Sequence, residues 1–112
     1  MHPFTVLGDP VRRRLVEVLA GGERSAGELV EVVGAEFGIG QSAVSQQLQV
    51  LRENGFASVR AEGRRRYYSL EAQPLTAIGA WLQHYGAFWS TALDDLALEV
   101  ERSRDRDERT EN

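Results

Sequence analysis

The chain has 112 residues, a length that suits one domain with a modest core. It has no cysteine, which excludes disulfides, thiol redox switches and thiolate metal sites. Its net charge is −4, but residues 1–70 hold nine Arg and eight acidic residues, whereas residues 71–112 hold four Arg and nine acidic residues. No apolar run approaches the roughly 20 residues of a membrane span. Because the N-terminus also lacks a signal-peptide pattern, we expect a cytoplasmic protein with no membrane partner.

The N-terminal part of the chain is predicted to form helices separated by short turns. A short helical lead-in near residues 3–7 comes first. Asp9 can cap the next helix with Pro10 in its first position, and a glycine pair ends that helix. Ser25 is expected to cap the following helix, whose apolar seam we expect to extend to Phe37.

The segment from residue 41 to residue 55 is predicted to begin as a helix with a narrow apolar seam. Val44, Leu48 and Leu51 fall at positions i, i+4 and i+7, while the other faces carry amides and hydroxyls. Such groups both donate and accept hydrogen bonds, as the reading of base edges in a major groove requires. The candidate base-reading residues are Gln41, Ser42, Ser45, Gln46, Gln47 and Gln49.

A short basic hairpin is predicted directly after this helix. Two strands, near residues 56–61 and 66–70, are joined through Glu62 and Gly63. Arginines at a hairpin tip have no core to hold them, so we favour phosphate or minor-groove contact over a solvated turn. A polar helix followed by a basic hairpin is typical of a winged helix-turn-helix, a mostly α fold with a small β-hairpin that binds double-stranded DNA. The candidate DNA-backbone residues are Arg52, Arg64, Arg65 and Arg66.

Apolar periodicity returns at residue 74 and predicts a helix to about residue 101, roughly 42 Å long at 1.5 Å per residue. Its apolar residues occupy more than one face, which one small domain cannot cover, so we expect a homodimer. A small-molecule pocket lined by its aromatic residues is the alternative. Residues 102–112 contain no apolar side chain and are expected to form a disordered tail, so the DNA-binding and dimerisation domain spans residues 1–101. The candidate dimer-interface residues are Phe4, Leu7, Ile78, Trp81, Leu82, Tyr85, Phe88 and Trp89.

These segments together resemble the ArsR/SmtB-type winged-helix repressors over nearly the whole chain. Residues 9–15 are similar to the family's opening Asp-Pro-Thr-Arg-Arg-Arg-Ile, and residues 41–51 to its Gln-x-x-Val-Ser-x-His-Leu-x-x-Leu helix. Residues 62–70 resemble its wing, and residues 81–89 resemble a metal-independent branch with an aromatic last helix. The resemblance implies a homodimer, formed by the first and last helices, that binds a pseudo-palindromic operator with one reading helix per half-site.

The chain departs from the family pattern at three places. Gln47 replaces the usual His of the reading helix. Gly40 stands where a capping Ser is common, so we expect Ser42 to cap a slightly later helix start. Residues 35–38 are extra between the two helices of the motif; because four residues are close to one helical turn, we expect the first of these helices to grow by one turn.

The sequence also indicates which chemistry to exclude. The family's cysteine positions are occupied by Ser25 and Gly27, and His84 is the one histidine of the last helix, so we expect neither a metal site nor a required cofactor. No nucleophile-and-base pair or glycine-rich phosphate loop is present, so the chain is not predicted to be an enzyme. Two other functions stay open. One is a repressor that responds to a small molecule or a metal at its C-terminal helix; the other is a protein-interaction module that does not bind DNA.

Overall fold

Two short helices begin the chain and are separated by a single capping residue. The computed structural model describes residues 1–110, together with the side chains of residues 1–86 and 91–106. Helix α1 spans Pro3–Gly8 and helix α2 spans Pro10–Ala20. Asp9 caps α2 as predicted, since its Oδ1 accepts hydrogen bonds from the backbone N–H groups of Val11 and Arg12 at 2.9 and 3.1 Å.

The second helical segment contains the extra turn that the sequence predicts. Helix α3 (Ala26–Leu29) continues without a break through a π-helical turn (Val30–Gly34) into helix α4 (Ala35–Phe37). A π-turn winds more residues per turn than an α-helix, so the residues after it are rotated. The predicted continuation of the apolar seam is therefore wrong: Phe37 is 39% exposed, whereas Val33 is fully buried.

Helix α5 (Gln41–Glu53) follows a tight turn in which Gly38 adopts the left-handed conformation, with φ +64°. Its predicted apolar seam lies in the core, with each of the three residues no more than 1% exposed. The expected later start capped by Ser42 is wrong, because the extended backbone of Gly40 lets the helix begin one residue before Ser42.

A three-stranded antiparallel sheet replaces the simple hairpin that the sequence predicts. Strands β2 (Ala57–Glu62) and β3 (Arg65–Leu70) form the hairpin. A two-residue strand, β1 (Arg24–Ser25), pairs with the other edge of β3, so the strand order is β1-β3-β2. Two residues are too few to show an alternating pattern, which is why sequence periodicity misses β1.

The elements before the last helix enclose one hydrophobic core. Phe56 is its largest fully buried side chain, and Tyr68 brings the hairpin into the same core. Helix α5 and the hairpin are thereby held side by side. The buried apolar residues are Val6, Leu15, Val16, Leu19, Leu29, Val33, Val44, Leu48, Leu51, Phe56, Ala57 and Tyr68.

The chain divides into two units, one of residues Met1–Ile78 and one that starts at Gly79. Helix α6 (Gln73–Thr110) begins in the first unit and forms the described part of the second. The predicted helix end near residue 101 is wrong, because α6 continues to Thr110. Arg, which occupies four of residues 102–110, is a good helix former. The domain boundary at residue 101 and the character of the tail beyond it stay predictions. Among the described residues, no helix is long and apolar enough to cross a membrane.

Candidate nucleic-acid interface

The exposed surface of α5 is built from amides and hydroxyls. Gln41, Ser45 and Gln49 are four residues apart and share one face of the helix, and Ser42 and Gln46 lie on the adjoining face. All five are exposed, and the apolar seam fixes this outward orientation by packing into the core on the opposite side. Five of the six predicted base-reading residues therefore lie together on the surface.

A groove of about 660 Å³ separates α5 from the hairpin. Arg52 of α5 and Arg66 of β3 both line it, so two of the four predicted backbone-binding arginines are brought together there. The full lining consists of Ala26, Gln41, Ser45, Gln49, Arg52, Glu53, Arg66 and Tyr68.

The orientation of the Gln49 amide on this face is set by Glu53. The Nε2 of Gln49 donates a hydrogen bond to Oε1 of Glu53 at 3.0 Å. A carboxylate can only accept, so Glu53 selects the amide nitrogen of Gln49. The Oε1 of Gln49 is then the atom that this amide offers to a donor elsewhere.

The structure places the three consecutive arginines of the wing differently from the sequence prediction. Only Arg64 lies in the hairpin turn, beside Gly63, whose φ of +63° the turn requires. Arg65 and Arg66 belong to β3 and pair with Glu62 and Ala61 of β2. The predicted second strand, near residues 66–70, therefore begins one residue earlier, and Arg64 alone of the three lies at the tip. All three are exposed.

An ionic cluster ties the hairpin to the loop before β1. Arg60 donates from Nη2 to Glu23 at 2.8 Å and from Nη1 to Glu62 at 2.6 Å, and its guanidinium lies 4.8 Å from the ring centre of Tyr67. The hydroxyl of Ser69 also donates to Glu23. The hydrogen bond from Arg60 is the main cause that holds the pKa of the Glu23 carboxyl below its ordinary value. Arg60 is thus engaged by carboxylates, whereas no ion pair of the three arginines beyond it is seen with the residues that the structure describes.

Gln47, the sixth predicted base-reading residue, faces away from the other five. It is half-buried, and its Oε1 accepts a hydrogen bond from Nη1 of Arg12 at 2.9 Å. Its position in the sequence is one residue from Gln46, but a helix turns by about 100° per residue, which carries Gln47 toward α2. We therefore remove Gln47 from the candidate base-reading set.

The extra turn of the motif is fastened to α2. Arg14 donates from Nε and Nη2 to the two carboxylate oxygens of Glu36 at 2.9 and 3.0 Å, and from Nη1 to Glu17 at 3.2 Å. This paired hydrogen bond holds the pKa of the Glu36 carboxyl below its ordinary value. Arg14 is thus engaged by carboxylates.

The predicted dimer-interface residues fall into three groups. Phe4, Trp81, Leu82 and Tyr85 are between 39% and 49% exposed, as surface for a partner should be. Two others pack partly against the core of the first unit. These two are Leu7 and Ile78. The side chains of the last two lie outside the described residues. These two are Phe88 and Trp89.

Metal-binding groups do not gather in the part of the chain that the structure describes. No three His, Asp or Glu side chains come together there in a way that could bind a metal ion. His84 instead packs edge-on against the ring of Tyr85, with ring centres 4.8 Å apart.

Sequence reasoning missed two side chains that organise this interface. These are Arg12 and Glu23, and the sequence assigns no role to either of them. Their partners lie 35 and 37 residues away in the chain, so only the fold brings them together. For Arg12, the one local indication of a structural role was its spacing of three residues from Asp9.

Comparisons with known proteins cover most of the chain. A family model described as a helix-turn-helix domain matches residues 7–60. The transcriptional repressor SdpR of Bacillus subtilis is 29% identical over 82 residues, which cover 73% of this chain and 87% of SdpR. The HTH-type transcriptional regulator Rv2034 of Mycobacterium tuberculosis is 34% identical over 102 residues, which cover 91% of this chain and 89% of that protein.

A solved structure extends the similarity to the fold. The crystal structure of an ArsR family transcriptional regulator matches with a TM-score of 0.67 and 27% identity, over 80% of this chain and 88% of that chain. Some other matched regulators are longer, and this chain spans 63% of one and 62% of another. A helix-turn-helix motif, a basic hairpin and these relatives lead to one assignment: the chain belongs to the ArsR family of winged helix-turn-helix transcriptional regulators.

Proposed function

We propose that this regulator is a repressor that binds a pseudo-palindromic operator as a homodimer, with α5 of each copy in a major groove. The observation that carries the proposal is the exposed amide and hydroxyl face of α5 next to a groove flanked by Arg52 and Arg66. Helix-turn-helix proteins read base edges with the N-terminal part of such a helix. We call α5 the recognition helix from here on.

The side chains divide by chemistry between base edges and phosphates. Hydroxyls and amides can satisfy base edges in the major groove, and guanidinium groups bind phosphate oxygens. Among the described residues, no side chain caps the recognition helix, so its first N–H groups are available to a phosphate as well. We assign base contacts to Gln41, Ser42, Ser45, Gln46 and Gln49, and backbone contacts to Arg52, Arg64, Arg65 and Arg66.

The homodimer rests on apolar surface that a monomer would leave in water. Leu82 and Tyr85 of α6 are 49% and 42% exposed, and Phe4 of α1 is 39% exposed. Exposed apolar patches of this kind mark interaction surfaces. A two-fold dimer also presents two recognition helices, which two half-sites about 34–36 Å apart would engage. The name of the relative SdpR, a repressor, supports repression as the outcome.

A binding experiment on the upstream DNA of the protein's own gene tests this proposal. Fluorescence anisotropy with overlapping duplexes should reveal one duplex bound at least about 10³-fold more tightly than random DNA, the lower end for specific DNA-binding proteins. Footprinting should then show two protected half-sites. Equal affinity for every duplex would contradict sequence recognition, and no binding at low salt would favour the protein-interaction module.

A further inference from the structure

We propose that Arg12 is a positioning residue that links the recognition helix to α1. Helix α1 carries part of the proposed dimer surface, so Arg12 would keep that surface at a fixed position relative to the recognition helix. The inference deepens the proposed function and rests on it for the DNA-binding role of α5. It concerns Arg12 and its partner Gln47, neither of which is assigned a contact with DNA.

The guanidinium of Arg12 bridges two helices that do not follow one another in the chain. Its Nε donates to the carbonyl oxygen of Val6 at 2.9 Å, and its Nη2 donates to that of Thr5 at 3.3 Å, both on α1. Its Nη1 donates to Oε1 of Gln47 on α5 at 2.9 Å. One planar group therefore fixes the distance between α1 and the recognition helix.

The acceptors on α1 are groups that need an external donor. Helix α1 has six residues, and the last four carbonyl groups of any helix lack partners within it. Thr5 and Val6 are among these four. A cation is also favoured at the C-terminal end of a helix, where the carbonyl dipoles converge.

The bridge is partly sheltered from solvent, which raises the cost of breaking it. The side chain of Arg12 is 13% exposed, and the closest carboxylate oxygen, Oδ2 of Asp9, is 3.9 Å away. The charge of Arg12 is therefore met mainly by carbonyl and amide oxygens. Hydrogen bonds to a charged donor are stronger than neutral ones, and an unmet donor in such a place is costly.

The bond to Gln47 also fixes how the recognition helix is rotated. A guanidinium has no acceptor, so Gln47 must point its Oε1 inward to Arg12. Ser45 and Gln46, proposed to contact bases, then point outward on the same helix. Base-edge hydrogen bonds weaken steeply when distances and angles change, whereas attraction to phosphates falls off slowly with distance. Loss of the bridge should therefore affect sequence recognition more than non-specific binding.

The first arm of the test needs no DNA. Gln47→Leu removes the acceptor on α5 while keeping a side chain of similar size. Because Gln47 is hydrogen-bonded to Arg12, which in turn donates to α1, this change should speed hydrogen exchange at the Val6 amide, which donates to the carbonyl oxygen of His2 just before α1, by about tenfold. Arg12→Met, which also removes both hydrogen bonds to α1, should have at least this effect, and the double variant should add little to Arg12→Met alone. Arg13, the next residue in the chain, is exposed, so Arg13→Met is the matched control and should leave this exchange rate unchanged.

The second arm measures the ratio of operator affinity to random-DNA affinity. Gln47→Leu should lower that ratio about tenfold, Gln47→Glu should keep it because a carboxylate still accepts from Arg12, and Arg13→Met should not alter it. Wild-type exchange at Val6 in Gln47→Leu, or an unchanged ratio, would overturn the inference. If Gln47→Leu fails to fold, Arg12→Met and Gln47→Glu decide it by the same readouts. Failure of the wild type to select any duplex would contradict the proposed function alone, since the exchange arm still tests the bridge.

Discussion

The polar side chains of the recognition helix differ in what holds them before DNA arrives. Gln47 is held by Arg12, and the amide nitrogen of Gln49 is held by Glu53. Gln46, which directly precedes Gln47 near the middle of the helix, is exposed. A side chain that must first break a hydrogen bond gains less from a new one, because only the difference counts. Among these three we therefore expect Gln46 to contribute most to sequence discrimination.

Two substitutions distinguish side chains that recognise bases from side chains that bind the DNA backbone. Gln46→Ala should weaken operator binding by roughly 1–3 kcal/mol and leave random-DNA binding nearly unchanged, because an amide paired with a base edge carries sequence information. Arg64→Ala, in the hairpin turn, should weaken both and make the salt dependence shallower by about one unit of slope. Anisotropy titrations at several salt concentrations measure both effects. If Gln46→Ala leaves the operator-to-random ratio intact and Arg64→Ala abolishes it, the wing is the reader.

The ionic cluster of the wing gives a prediction about acid. The folded pKa of Glu23 is depressed, so its stabilising effect is present above the ordinary value of 4.5 and is lost as the pH falls through the lowered folded pKa. Arg60→Gln should move this pKa back up toward the ordinary value, and Ser69→Ala should move it less, because the hydrogen bond from Arg60 is the larger cause. Carboxyl titration by NMR measures each shift. A wild-type Glu23 that titrates at its ordinary pKa would contradict the bonding seen in the structure.

Among the elements, those specified by local sequence were predictable. The recognition helix and the hairpin follow from an apolar seam and a turn glycine, which act over a few residues. The rotation of Phe37 was not predictable, because the π-turn that causes it packs on α2 and α5, which are distant from it in the chain. The Arg12 bridge was missed for the same reason: hydrogen bonds between distant segments leave no periodic pattern in the sequence.

The π-turn itself depends on a close backbone approach. A Cβ atom on Gly34 would lie 2.9 Å from the backbone oxygen of Ile39, which no rotamer change can relieve. Gly34→Ala should therefore lower the free energy of unfolding by about 1–3 kcal/mol, the usual cost of overpacking. Gly27→Ala in the same helical segment, where the nearest atom is 4.0 Å away, should instead raise it by about 0.4–1 kcal/mol. Urea denaturation of both variants measures the contrast, and equal effects would argue against the close approach.

At the scale of the whole molecule, the DNA-binding part of the chain carries little net positive charge. The three wing arginines line a second groove together with Glu28 and Glu31 of the α3 segment, which reduces the positive potential there. With a net charge of only +1 over residues 1–70, non-specific DNA binding should be weak and the salt dependence modest. Under the proposed function, affinity for an operator then comes from base contacts made by two copies at once, so we expect dimerisation to be a condition of operator binding.

A pair of substitutions on α6 tests that condition. Leu82 and Leu98 are 49% and 51% exposed on the same helix, but only Leu82 belongs to the proposed interface. Leu82→Asp places a charge where a partner should bury apolar surface, an expensive change unless the charge is paired. It should give a monomer of 12.5 kDa, or an insoluble protein, and abolish operator binding. Leu98→Asp should leave the dimer and its operator affinity intact.

Sedimentation equilibrium at micromolar concentration, run beside anisotropy, distinguishes the outcomes. A soluble Leu82→Asp monomer that still binds the operator as tightly as the wild type would show that one copy suffices, against the two-half-site proposal. Dissociation caused equally by both substitutions would place the interface along the whole of α6. Dissociation by Leu98→Asp alone would move it to the C-terminal part of the helix, beyond the aromatic segment. Loss of the dimer by Leu82→Asp alone, together with loss of operator selection, is the result that the apolar surface of α6 predicts.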